Sequence, residues 1–96
     1  MFDIEIIQTA SADLQDAYDW YEEQSIGLGE RFVTEVDDYM QLISNNPYQF
    51  AIQFSGKYRF ALLRHFPFRI VYSIDESAEK VYVSSIFHTS RDPKRF

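Results

Sequence analysis

Apolar positions change their spacing near the middle of the chain. Over Phe2 to Gln8, Phe2, Ile4 and Ile6 alternate with Asp3 and Glu5 before the pattern lapses at Ile7. A period of two marks a strand with one buried face. Leu14, Ala17, Tyr18 and Tyr21 then recur every three or four residues, with Asp16, Asp19, Glu22 and Glu23 off the stripe; this is the spacing of an amphipathic helix. Ser11 is placed to cap that helix and Asp13 to sit in its first turn against the macrodipole. Gly27 and Gly29 interrupt the stripe, supplying a C-cap and a tight turn. A second stripe follows: Leu28, Phe32, Val36, Tyr39, Met40 and Ile43. It stops at Asn45-Asn46-Pro47, because proline and the residue before it resist helical geometry. Helices joined by so short a turn form an antiparallel hairpin.

Beyond Pro47 the runs are aromatic and β-branched: Tyr58 to Arg64, Phe68 to Ile74 and Lys80 to His88, punctuated by Gly56, Pro67 and Asp75 to Glu79. Connections this short predict an antiparallel meander. The expected fold is α+β with the order β-α-α-β-β-β, a helix hairpin packed on one face of a mainly antiparallel four-stranded sheet. Residues 1–96 contain no repeat or linker and are read as a single domain.

Composition narrows the chemistry. Cysteine is absent, which excludes disulfides and thiolate metal sites. No long apolar run or basic leader opens the chain, so a cytoplasmic protein without a membrane span is expected. Net charge is −6, but residues 1–48 carry −10 and residues 49–96 carry +4. Such a chain does not coat itself in nucleic acid through bulk charge, although one local anion site fits the basic half.

Phosphate-loop, G-x-S-x-G and H-E-x-x-H patterns are missing, and no cofactor or metal is expected. Glu22-Glu23 and Asp37-Asp38 read as solvated helix faces. The informative residues are basic: Arg59, Arg64, Arg69, His88, Arg91 and Arg95. Alternation puts Arg59 with Ala61 and Leu63, Arg64 with Phe60 and Leu62, and Arg69 with Val71 and Ser73. If Arg59, Arg69 and His88 all point away from the helices, they line one face with Tyr82 and hold a phosphate or carboxylate. The rival reading pairs the arginines with Glu35, Asp75 or Asp92, and makes His88 a hydrogen-bonded packing residue. Trp20 lies off the first helical stripe, as a partner contact or as packing beneath a sheet edge.

Gly56 to Arg59, Arg64-His-Phe-Pro-Phe-Arg-Ile-Val-Tyr72, Val81 to His88 and Arg91-Asp-Pro93 together resemble the ParE branch of the RelE/ParE toxin superfamily, which includes plasmid-stabilisation proteins. The resemblance spans essentially the whole chain. It implies the toxin of a bacterial type II toxin–antitoxin pair, neutralised by a cognate antitoxin. RelE-like members cut mRNA on the ribosome, whereas ParE-like members poison DNA gyrase; a third reading is a non-toxic relative that retains only antitoxin binding. Arg59, Arg64 and Arg69 match the family's basic strand positions, and His88 matches its terminal histidine. A ribonuclease would use His88, Arg59, Arg69 and Tyr82; a binding toxin would use the arginines, Arg91 and Arg95 included, as contacts for its target. Whether the chain is an enzyme stays open, but a pI near 4.7 opposes approach to the ribosome's phosphate surface and favours gyrase. Strands apolar on both faces leave one face for an amphipathic acidic antitoxin, with Trp20 and Leu63 as expected contacts.

Overall fold

The computed structural model describes residues 1–53 and 56–90. The chain runs through β1 (Asp3–Ile6), α1 (Gln8–Gln24), α2 (Leu28–Asn45), a 3-10 turn (Pro47–Gln49), β2 (Ile52–Gln53), β3 (Tyr58–Leu62), β4 (Phe68–Asp75) and β5 (Lys80–His88). The α+β architecture and the helix hairpin are as expected. The sheet order is β1-β5-β4-β3-β2, so β4 is central. β1 runs parallel to β5, and every other pair is antiparallel. The two-residue β2, which the sequence pattern did not reveal, extends the edge by pairing with Arg59 and Tyr58. Among the described residues no helix is long and apolar enough to cross a membrane.

α1 begins three residues before the expected cap. Ile7 is the N-cap, with no side-chain cap bond, and the Ser11 N–H donates to the Ile7 carbonyl at 3.0 Å. The cause is tertiary: the Ile7 N–H continues the β1–β5 pairing to the Val83 carbonyl at 3.1 Å, and the chain turns into the helix where that strand stops. Asp13 is therefore not a first-turn residue. Its carboxylate accepts from the Ser85 hydroxyl at 3.0 Å and the Ile86 N–H at 3.1 Å, satisfying β5 beyond the end of β1.

The hairpin turn is built on two glycines and one acid. Gly27, at φ +88°, holds the left-handed conformation that a side chain disfavours. At Gly29 a Cβ would lie 2.7 Å from the Tyr18 carbonyl and from Glu22 Cγ, so the helices approach at a position only glycine fits. Glu22, expected on a solvated face, reaches across instead. Its carboxylate accepts from Gly27 N at 3.2 Å and Gly29 N at 2.8 Å, capping α2 from the neighbouring helix.

Strand register fixes which residues share a face. Ala61 opposes Ile70, and both belong to the core under the helices with Phe32, Val36, Ile43 and Val83. Phe60 opposes Val71 on the other side. The pairing of β4 with β5 slips by one residue between Val71↔Ser85 and Tyr72↔Val83, the mark of a bulge. On the helix side Tyr21, Phe32, Phe66 and Phe68 interlock with centroid spacings of 5.0–6.1 Å, mostly edge to face.

Candidate functional site: a basic corner at the β3–β4 turn

The arginines separate according to strand phase. Arg59 opposes Tyr72, whose ring is buried in the helix-side core, so Arg59 points to the helices. Its Nη1 donates to the Phe50 carbonyl at 2.6 Å and the Tyr48 carbonyl at 3.3 Å, with the guanidinium 5.4 Å from the Tyr48 ring centroid. Nearby, the buried Tyr72 hydroxyl donates to the Pro47 carbonyl at 2.7 Å. Burial pushes that phenol up to about 12, although the charge of Arg59 pulls the other way. Arg59 and Tyr72 thus tie the 3-10 turn and the start of β2 to the sheet.

Arg69 is on the opposite face. It opposes Leu62 on β3 and Phe87 on β5, and its guanidinium lies 5.8 Å from the Phe60 ring centroid. Tyr82 is on that face as well, paired with Ser73 and Glu5. Arg69 and Ser73 are four residues apart on β4, so Arg69 and Tyr82 are about 14 Å apart along the strand. His88 opposes Phe68 and stacks edge-on against its ring at 5.3 Å, on the helix side. Its Nδ1 accepts from the Ser90 N–H at 3.2 Å and is 2.7 Å from the Ser90 hydroxyl. Arg59 and His88 are likewise about 14 Å apart along β4. The four residues expected to converge for acid–base chemistry are therefore split two and two across the sheet. The physical reasons are that the β3–β4 register puts Arg59 and Arg69 in opposite phase, and that the one-residue slip of β5 beside Val71 and Tyr72 puts Tyr82 and His88 on opposite faces.

The face away from the helices is not the open apolar floor that the sequence suggested. Phe60, Val71 and Phe87 keep only 6%, 0% and 1% of their surface. Tyr58 packs against this cluster and Arg69 covers one of its rings. Leu63, an expected antitoxin contact, is also unavailable: it shares the phase of Ala61 and is 4% exposed within the helix-side core. Its neighbour Leu62, at 54%, is the exposed one. Trp20 is 57% exposed on α1. Arg91 and Arg95 are outside the described residues, as is Asp92, one of the pairing partners expected for the arginines.

What does converge is a corner at the β3–β4 turn, a groove of about 500 Å³ lined by Leu62, Arg64, Pro67, Arg69 and Thr89, with no carboxylate in its wall among the described residues. Arg64 is exposed and Arg69 half-buried. Neither forms an ion pair among the described residues; the pairs there are His65–Glu35 at 2.6 Å and Lys80–Glu5 at 3.7 Å. The turn is held from α2. Glu35 accepts from the His65 N–H at 2.9 Å as well as meeting its ring. Partial burial pushes the Glu35 carboxyl up, but hydrogen bonds from the His65 backbone and ring and from the Arg64 backbone outweigh this and bring it below the ordinary range. The Thr89 N–H donates to the Pro67 carbonyl at 2.8 Å, tying the turn to the end of β5. Among the described residues the corner is a cationic site without a carboxylate partner, and with its apolar rim it suits a carboxylate or phosphate beside an apolar group.

A helix hairpin packed against a mixed sheet is the fold that this chain shares with solved RelE- and ParE-type toxin–antitoxin proteins. The fold is similar to the chromosomal ParDE system from P. aeruginosa at TM-score 0.81, with 17% identity over 94% of this chain and 98% of that one. It is also similar to the intact E. coli RelBE toxin–antitoxin complex at TM-score 0.72, with 16% identity over 95% and 100%. No curated protein matches the sequence. The sequence profile of the ParE toxin of type II toxin–antitoxin system, parDE, matches residues 4–93, and the chain belongs to that family.

Proposed function

We propose that the chain is a toxin that binds and poisons DNA gyrase without cutting RNA, and that a cognate antitoxin neutralises it at the Arg64–Arg69 corner. One observation carries the preference over ribosome-dependent mRNA cleavage: Arg59, Arg69, Tyr82 and His88 lie on opposite sides of the sheet. General acid–base cleavage needs its groups within hydrogen-bond reach of one reacting centre. A binding toxin needs only a shaped, charged surface. In this reading Arg64 and Arg69 receive acidic side chains, and Leu62 and Trp20 add apolar contact. Trp20 remains a proposed antitoxin contact, and Leu62 takes the place of the buried Leu63. Both gyrase and its DNA place the action in the cytoplasm.

The test is a supercoiling reaction with purified gyrase. Added protein is expected to trap cleaved DNA–gyrase complexes and to leave mRNA on translating ribosomes intact. Unchanged supercoiling at large excess overturns the gyrase reading, and new mRNA 3′ ends by toeprinting replace it with the ribonuclease.

A further inference from the structure

A second groove, of about 630 Å³, opens on the helix side between α1 and the ends of β4 and β5. Its floor is apolar, made of Ala17, Tyr21 and Phe68. Its α1 wall carries Asp13, Asp16 and Trp20, and among the described residues no Lys or Arg lines it. Asp13 is engaged with β5. Asp16 and Trp20 are one helical turn apart on the same side of α1. Among the described residues neither the Asp16 carboxylate nor the Trp20 indole N–H has a hydrogen-bond partner, and Asp16 has no ion pair. The indole is braced edge-on against Tyr21, with centroids 5.1 Å apart and planes at 81°, and stays 57% exposed. An aromatic ring held open beside a carboxylate with no partner among the described residues, above an apolar floor, is complementary to a cation on an aliphatic stem.

We propose that this groove binds a peptide segment bearing a Lys or Arg next to an apolar residue. The cation would meet Asp16 and the face of Trp20, and its apolar neighbour would fill the floor over Ala17 and Phe68. The −10 carried by residues 1–48 steers such a segment to α1. The required charge is the reverse of that at the Arg64–Arg69 corner, so a partner spanning both sites must present acid at one and base at the other. The occupant is a basic segment of a partner protein, not a second copy of this acidic chain, and its recognition does not depend on gyrase being the target.

Trp20 is the only tryptophan in the chain and reports on the groove directly. Titration with acetyl-Leu-Arg-Leu-Lys-amide is expected to shift its emission, with weakening in high salt, and acetyl-Leu-Glu-Leu-Asp-amide to leave it unchanged. Asp16→Asn, on an exposed side chain, is expected to weaken the basic peptide about fivefold, the scale of one partly screened ion pair. A double Arg64→Glu/Arg69→Glu variant should keep the full response, separating this groove from the Arg64–Arg69 corner. No response to the basic peptide, equal binding of both peptides, or unchanged affinity in Asp16→Asn overturns the proposal. So does emission that moves with protein concentration alone, since a second copy would then be the occupant.

Discussion

Arg59 and Arg69 lie on adjacent strands and pair with neighbours of the same central ribbon, yet their surroundings differ in almost every respect. Arg59 faces the helices one strand in from the sheet edge, where the 3-10 turn leaves the Tyr48 and Phe50 carbonyls outside any ladder, and its guanidinium takes up both. Arg69 faces away, over the Phe60 ring, and with Arg64 keeps its charge unmatched by any carboxylate among the described residues. The same side chain is a brace in one phase and an available cation in the other. Residue type alone carries no function here; the direction of the side chain and the saturation of its donors do.

The sharpest way to break that contrast is to reverse the charge at the corner. Arg64→Glu/Arg69→Glu is expected to weaken antitoxin binding at least about 100-fold, because facing carboxylates turn attraction into repulsion. Folding should be little affected, since Arg64 is exposed and Arg69 loses only its ring contact, about 0.5–1 kcal/mol. Calorimetric titration with the antitoxin checks the first effect and urea unfolding the second. A large loss of stability with affinity retained would make the corner structural and collapse the distinction.

Arg59→Ala is expected to do the opposite. It strands two carbonyls, one partly buried, and should cost about 2 kcal/mol in urea unfolding. Antitoxin affinity of the folded fraction should be unchanged. Tyr72→Phe removes the hydroxyl that holds the Pro47 carbonyl and should cost about 1.5 kcal/mol at that same junction. Because Arg59 and Tyr72 brace one segment, the double variant should deviate from additivity by at least about 0.5 kcal/mol.

The contrast also marks the limit of what the sequence could tell. Period two correctly grouped Arg59 with Ala61 and Leu63, and Arg69 with Val71 and Ser73. On β4 the choice of inward face was legible, because Phe68, Ile70 and Tyr72 are uniformly apolar while Arg69, Val71 and Ser73 are mixed. On β3 it was not: Phe60 and Leu62 are as apolar as Ala61 and Leu63, so local pattern cannot orient that strand. Its phase is set by pairing with β4, a non-local contact. The same reason hid the slip beside Val71 and Tyr72, the two-residue β2 and the early start of α1. Glu22 was missed differently. Its i to i+7 reach onto the Gly29 N–H depends on how closely the helices approach, for which the glycine itself was the available signal. The helix hairpin and the long strands were readable because their stripes are long and their breaks carry glycine or proline.

The smallest expected effect concerns how the corner is held. Glu35 fixes the turn through the His65 N–H and ring, and its carboxyl lies below the ordinary value. A carboxyl with a lowered folded value binds its proton less readily in the native state than in the unfolded chain. Its contribution is therefore complete above the unfolded value, about 4.3, and fades as pH falls through the lower folded one. Because His65 is largely exposed, solvent screening limits that contribution to about 1 kcal/mol. Glu35→Gln should be less stable than the parent by that amount at pH 6, and the gap should close as pH falls through the lowered folded value. If the Glu35–His65 contact is what aims Arg64, the substitution should also loosen antitoxin binding a few-fold at pH 6 without altering the Arg59 junction. Backbone amide exchange at the turn and at Phe50 would separate the two: faster exchange at both would mean that the braced edge and the open corner are one unit, not two.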